Sequence, residues 1–229
     1  MNGEIDDYFV GLDGVVLLIM NCEKYLSKSN KQRETWLRGL KLPHYHVIGD
    51  PNLEDDYMFR DDKRILLVKT KDDYNSLPQK VISSYEAVRN RFCDLKYIFK
   101  TDDDQMLQSD NPLQFFIRIA NMLKKAEMES NKIHYSGNVV NVNQAYISQY
   151  HKIHPELPLD LPILPTKYCS GRFYILSLEA VDDLLKKKNY IGKEFLEDYA
   201  IGYYLDDNYK ATMKHLPTNV FFKDFTIDE

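Results

Sequence analysis

The chain has 229 residues, 44% of them hydrophobic and 28% charged, enough to fill one core and short for two independent domains. Its net charge of −5 removes the positive excess that holds a nucleic-acid backbone or an anionic bilayer surface. The longest apolar run, Val15 to Met20, falls far short of the roughly 20 residues that span a bilayer, and no basic-then-apolar leader opens the chain. A soluble chain with no transmembrane segment and no nucleic-acid partner is expected. Cys22, Cys93 and Cys169 are the three cysteines, without the close spacing of a zinc or redox motif, and there is no Asn-x-Ser/Thr sequon, which points to a cytoplasmic setting.

In chain order, Val15 to Met20, Tyr45 to Ile48, Ile65 to Val68 and Tyr97 to Phe99 are short apolar runs bounded by polar turn residues, the pattern of strands covered on both faces. Between the third and fourth, Pro78 to Phe92 carries Val81, Ile82, Tyr85, Val88 and Phe92 at helical spacing, with proline where a helix begins. Asn111-Pro112 opens a second amphipathic helix that ends near Lys124-Lys125. Residues 139–168 lack a clean period and hold four prolines, Pro155, Pro158, Pro162 and Pro165, so they read as a long irregular excursion of the kind that carries function. A strand over Arg172 to Leu176, a helix over Leu178 to Lys187 and a helix from near Phe195 to about Asp207 follow. Strands alternating with helices predict an α/β fold with a mostly parallel central sheet flanked by helices.

Three consecutive carboxylates, Asp102-Asp103-Asp104, follow the apolar strand that ends in Lys100-Thr101. Carboxylates at the carboxyl end of a strand in an open α/β sheet are placed to hold a hard divalent cation together with phosphate oxygens; taken alone, such a triplet is more often a solvated turn that caps a helix. Glu197-Asp198 stands in the first turn of a predicted helix, as a partner of the helix dipole or as a general base for an acceptor hydroxyl. Gly171, in Tyr168-Cys-Ser-Gly-Arg172, lets backbone approach a ligand closely.

Five blocks in order resemble the β-1,3-glycosyltransferase family that includes the β-1,3-galactosyltransferases. They are Arg33-Glu-Thr-Trp36, Asp73-Tyr-Asn-Ser-Leu-Pro-Gln-Lys80, Lys100-Thr-Asp-Asp-Asp104, Tyr168-Cys-Ser-Gly-Arg-Phe-Tyr-Ile-Leu-Ser177 and Glu197-Asp-Tyr-Ala-Ile-Gly202. The resemblance implies a GT-A fold within one domain, with a Rossmann-like nucleotide half over about 1–104 and an acceptor half over about 105–229. It implies inverting transfer of a hexose, galactose-type favoured, from a UDP-sugar to a glycan or glycoprotein hydroxyl, with manganese as the usual metal and magnesium as its substitute. Carried over, Asp198 is the base and Glu197 its neighbouring alternative. Asp102 and Asp104 hold the metal, Asp103 points to ribose or donor sugar, and His215 is a further metal ligand. Arg33, Trp36, Lys80, Lys100, Tyr168 and Gly171 line the donor or acceptor side, although a lone Trp packs as readily as it binds.

Gln105-Met106 departs from the apolar-Phe pair that the family has after its acidic triplet. Relatives of this kind are commonly anchored in the Golgi membrane, so a truncated chain would act in the Golgi lumen, where the resemblance leaves a Cys93–Cys169 disulfide open; in the cytoplasm both stay thiols. Two other functions compete. A metal-dependent nucleotidyltransferase would also want acidic residues at a strand end, but brings a phosphate-cradling glycine loop that is missing here. A non-catalytic nucleotide-sugar or glycan-binding module has no need of a base.

Overall fold

The computed structural model describes residues 12–109 and 111–226. The first apolar run is strand β1 (Val15–Met20), followed by helix α1 (Leu26–Glu34), strands β2 (His44–Gly49), β3 (Tyr57–Arg60) and β4 (Ile65–Val68), and helix α2 (Leu77–Arg91). Next come β5 (Tyr97–Asp102), β6 (Gln105–Leu107), α3 (Pro112–Met128), β7 (Tyr135–Val142), the small pair β8 (Tyr146–Ile147) and β9 (Pro162–Ile163), and β10 (Thr166–Ser177). The chain closes with α4 (Leu178–Leu185), α5 (Lys188–Ile191), α6 (Glu197–Tyr204), α7 (Asp207–Lys210), β11 (Lys214–His215), α8 (Thr218–Phe221) and β12 (Phe222–Asp224).

Eight strands form one sheet in the order β11-β7-β10-β5-β1-β2-β4-β3. Its centre, β5-β1-β2-β4, is parallel, while β10 runs antiparallel between β5 and β7 and β3 runs antiparallel on β4. The sheet is mixed and mostly parallel, and it continues across residue 104 because β10 pairs directly with β5.

The apolar run of β1 is buried on both faces, as its composition demands. Val16, Leu18 and Met20 join the core beneath α2, α4 and α6, while Val15, Leu17 and Ile19 join a second core with α3 and the segment after α1. Asn111 caps α3 by accepting the Gln114 N–H on its side-chain oxygen, and Pro112 opens the helix.

Several expectations need correction. The irregular excursion is shorter than 139–168, because Tyr135–Val142 and Thr166–Ser177 are paired strands at its two ends. The last long helix stops at Tyr204, and Asp206 caps a new short turn. All three cysteines are free thiols, with Cys169 sealed in the core and Cys93 exposed, so no Cys93–Cys169 bond forms.

Trp36 sits 3% exposed in the second core, stacked on Phe116 and edge-on to Phe222, and it therefore packs. Trp36→Ala is expected to cost about 3–5 kcal/mol in urea unfolding. Trp36→Phe should cost under about 1.5 kcal/mol, because the indole N–H has no partner to lose. Loss of nucleotide affinity at unchanged stability would instead put the indole at the donor.

Candidate active site

In the parallel centre of the sheet the carboxyl ends of β1 and β5 lie side by side, with Met20 in register with Asp102. Asp103 donates its backbone N–H to the Met20 carbonyl at 2.9 Å, turning the chain sharply so that the three carboxylates crowd one strand end. Beneath this turn the fully buried Gln32 donates from its amide to the carbonyls of Asp102 and Gln105, at 3.2 and 2.9 Å.

β10 brings the second half of the site. Between Cys169 and Tyr174 its register against β7 slips, with Cys169 opposite Val139 but Tyr174 opposite Gly137. The surplus residues form a bulge, a device that re-aims backbone beside active sites. Gly137 makes room for it, since a Cβ there would lie 2.8 Å from the Cys169 Cβ and 2.9 Å from the Phe173 carbonyl oxygen.

The bulge pushes Gly171 into the carboxylates. Its carbonyl accepts from Lys100 Nζ at 3.0 Å and its N–H donates to Asp198 Oδ2 at 3.1 Å. A Cβ at position 171 would stand 3.3 Å from both Asp102 Oδ2 and Lys100 Nζ. Gly171→Ala is therefore expected to reduce turnover about tenfold or more while the protein stays folded, by spreading groups that must hold sub-ångström geometry. An unchanged kcat in that variant would show that the cluster is looser than this.

Lys100 is fully buried on β5, and its three protons are all used, by Asp102 Oδ1 at 2.7 Å, Glu197 Oε2 at 2.9 Å and the Gly171 carbonyl. Burial alone would depress this ammonium, but the Asp102 and Glu197 carboxylates outweigh it and raise its pKa above the ordinary lysine value. The other Glu197 oxygen accepts from the Tyr174 hydroxyl, which meets the Tyr85 hydroxyl at 2.5 Å. Both Glu197 oxygens are thus committed, and its pKa is raised, chiefly by burial.

Asp198 is only half-buried. The N–H groups of Gly171 and Tyr199 each donate to one of its oxygens, at 3.1 and 2.8 Å, and burial lifts its pKa above the usual aspartate value. Asp102 keeps 30% of its side-chain surface exposed, and burial, with Glu197 and Asp104 nearby, pushes it up to about 6. Asp103 is pushed up to about 7, again first by burial, although Lys28 Nζ stands 3.4 Å from it. Asp104 accepts from the Gln105 amide at 2.8 Å, and its carbonyl accepts the Phe225 N–H.

Of the residues singled out in the sequence, Lys100, Asp102, Gly171, Glu197 and Asp198 converge, with Asp103 and Asp104 at their edge. Tyr168 borders Asp198, whose charge, after burial, raises its phenol pKa. Lys80 is buried one step away, donating to the Asn21 carbonyl at 2.8 Å and to Asp72 at 2.5 Å. Asp72 in turn holds the backbone N–H groups of Glu23 and Gly49, so Lys80 fixes the loops after β1 and β2.

Arg33 and His215 make their contacts elsewhere. The Arg33 guanidinium meets His46 at 3.3 Å, and burial together with Arg64 lowers its pKa. His215 lies on the edge strand β11, exposed, with Nδ1 accepting from the Val139 N–H. Among the described residues no three His, Cys, Asp or Glu side chains are grouped to hold a metal ion.

Gln105 enters the sequence reading only as a departure from the family pattern and Arg172 only within a block; their network with Asp224 has no counterpart there. The Gln105 amide donates to Asp104 and Asp224, its oxygen accepts from Arg172 Nη1, and Arg172 pairs with Asp224 at 2.8 Å. The departure from an apolar residue after the triplet is thus a polar floor that ties the C-terminal strand to the acidic turn. A glutamine paired with an arginine 67 residues on has no local signal to announce it.

The family model described as Galactosyltransferase matches residues 27–217. The chain is 28% identical over 203 residues to UDP-GalNAc:beta-1,3-N-acetylgalactosaminyltransferase 1 of Mus musculus, covering 86% of this chain and 53% of that protein. It is 28% identical over 177 residues to the Homo sapiens protein of the same name, covering 75% and 48%, and 25% identical over 225 residues to Beta-1,3-galactosyltransferase 4 of Mus musculus, covering 82% and 58%. The chain spans about half the length of the curated relatives it matches. Among the described residues no helix is long and apolar enough to cross a membrane. A family match over most of the chain, on the same segments that build the carboxylate cluster, establishes that this chain belongs to the galactosyltransferase family.

Proposed function

We propose that the chain is an inverting, cation-dependent glycosyltransferase of GT-A type that moves a hexose from a UDP-sugar to a hydroxyl of a glycan or glycoprotein. The observation that carries this reading is the division of labour among the carboxylates across Gly171. Asp102 keeps part of its side chain exposed at the strand end and pairs with Lys100, whereas Asp198 is fixed by two backbone N–H groups, one of them that of Gly171.

Asp198 suits the base. Each of its oxygens keeps a free lone pair, its raised pKa increases its proton affinity, and its half-buried setting leaves it open to an acceptor. Glu197, 5% exposed and held by Tyr174 and Lys100, positions the site. Lys100 orients Asp102 and Glu197 together and carries the charge between them.

The residues also fit a divalent cation. Among the described residues Asp102, Asp103, Asp104, Glu197 and Asp198 are offset by Lys28 and Lys100, an excess of negative charge that adds to burial, the first cause of the raised Asp102 and Asp103 pKa values. Asp102 and Asp104 would hold manganese or magnesium, with water and diphosphate oxygens as the remaining ligands. The ion would supply stabilisation of negative charge on the leaving diphosphate. On the nucleotide side, the Asn21 side-chain N–H group at the end of β1 is buried without a partner, available to a base or ribose oxygen.

The relatives' names put UDP-galactose and UDP-GalNAc first among donors. The test is UDP release across a panel of UDP-sugars with manganese, with magnesium and with EDTA. Release from one of these two donors that EDTA abolishes is expected. Absence of release together with absence of cation-dependent UDP binding in calorimetry would leave only a binding module.

A further inference from the structure

We infer that Arg33 and His46 are positioning residues for the acidic turn, acting through Gln32 along a buried chain of hydrogen bonds that runs in one direction. The inference rests on the reading of that turn as the cation site, and extends it to two side chains whose own hydrogen bonds go to each other and to Gln32.

Read outward from the turn, the chain leaves no choice of proton position. Gln32 Nε2 lies 3.2 Å from the Asp102 carbonyl oxygen and 2.9 Å from that of Gln105. A carbonyl only accepts, so the NH2 end of the amide faces the turn and its two protons bracket Asp103 and Asp104. Gln32 Oε1 therefore points the other way, to His46 Nε2 at 3.0 Å. That oxygen also only accepts, which puts the imidazole proton on Nε2. Burial, with Arg33 and His44 beside it, holds His46 well below the ordinary imidazole range, so the ring is neutral and its Nδ1 is bare. The group 3.3 Å from Nδ1 is Arg33 Nη2, which can only donate.

Arg33 is otherwise oddly placed. It is half-buried in the last turn of α1, its Nε is buried without a partner, and among the described residues it pairs with no carboxylate; burial and then Arg64 lower its pKa. A guanidinium kept there without a counter-charge pays desolvation, and what it secures is a donor that never loses its protons. Gln32 and Arg33 are neighbours on one helix and grip the two nitrogens of one ring. His46 stands inside the sheet on β2, in register with Ile19 of β1 and Ile65 of β4. Neither His46 nor Gln32 has exposed surface, so water cannot replace a missing link. The Arg33-Glu-Thr-Trp36 block thus divides, with Trp36 packed in the core and Arg33 holding the turn through His46.

Two measurements test the relay. In protein carrying isotope-labelled histidine, long-range proton–nitrogen correlations report the tautomer of each ring, and the His46 signal is the one lost in His46→Gln. The Nε2–H tautomer is expected in wild type; the Nδ1–H tautomer or an imidazolium overturns the proposal. Amide exchange reads the turn itself, through the Asp103 N–H bonded to the Met20 carbonyl. It should exchange about tenfold faster in Arg33→Leu and in His46→Leu while the amides of α2 are unchanged. Arg33→Lys and His46→Gln, which keep a donor at each position, should return it to within about threefold of wild type. UDP affinity in manganese, by calorimetry, should fall in the same order. Equal acceleration at Asp103 and across α2, unchanged exchange at Asp103 in both leucine variants, or unchanged affinity in both where wild type binds UDP with manganese, overturns the relay. Absence of manganese-dependent UDP binding in wild type, with tautomer and exchange as expected, would instead refute the cation site and leave the relay standing.

Discussion

Replacing Asp198 with asparagine is expected to lower the transfer rate about 10²–10⁴-fold, the contribution typical of a positioned general base. UDP affinity in the presence of the cation should stay within about threefold. The amide keeps the size of the carboxylate, and its single oxygen can still accept the Gly171 N–H at the loss of the Tyr199 bond, so the bulge at Gly171 retains its anchor while the proton acceptor is gone. Asp104→Asn should behave in the opposite sense, weakening cation-dependent UDP binding before it touches the base. The contrast follows from role: a base that also ligated the cation would be acidified, whereas Asp198 is held by the Gly171 and Tyr199 N–H groups and Asp102 by Lys100. Steady-state kinetics with varied acceptor, paired with UDP calorimetry, reads both arms. Transfer that survives within tenfold in Asp198→Asn, or UDP binding lost equally in both variants, would end the assignment.

Lys100→Met should be the most destabilising single change in the site. It leaves Glu197 fully enclosed and Asp102 partly enclosed, with no cation beside either. Removing one partner of a buried ion pair costs about 3–5 kcal/mol, because the remaining charge keeps its desolvation penalty. Lys100→Met combined with Glu197→Gln removes part of that orphaned charge, so the double variant should recover more than about 1 kcal/mol relative to the single one. Urea unfolding of wild type, Lys100→Met, Glu197→Gln and the double variant closes the cycle. Additive losses would mean that the Lys100–Glu197 contact at 2.9 Å carries no coupling, and that the network is held by packing alone.

Legibility in the sequence followed chemistry. Val15–Met20 and Ile65–Val68 end where their apolar runs end, since strands buried on both faces leave no ambiguity about period. β5 runs on to Asp102, because Lys100, Thr101 and Asp102 continue the ladder against β1 as polar residues that a hydrophobic pattern cannot follow. α1 gave no signal for a similar reason: the residues it buries are Ser29 and Gln32, so no apolar stripe marks it. β7 was missed because Ser136 and Gly137 break its apolar pattern exactly where the fold needs small residues against the bulge of β10.

The site was legible as five short blocks, and their convergence was not. Asp102 and Asp198 lie on a strand end and a helix N-terminus that only β10 brings together. Nothing local distinguishes Glu197, locked between Lys100 and Tyr174, from Asp198, open and held by two N–H groups. Trp36 and Arg33 share a block with polar neighbours, yet one faces a core of phenylalanines and the other a pair of buried histidines.

The seal between Cys169 and Gly137 supplies a reporter that needs no label. Cys169 has no exposed surface, burial raises its thiol pKa, and its neighbours in the sheet are the bulge residues themselves. Alkylation of Cys93, which is exposed, proceeds on the folded protein, whereas alkylation of Cys169 waits for β10 to part from β7. The ratio of the two rates, followed by mass spectrometry, therefore measures how often the strand carrying Gly171 lets go. A ligand that braces the site should slow modification of the inner thiol and leave the outer one alone.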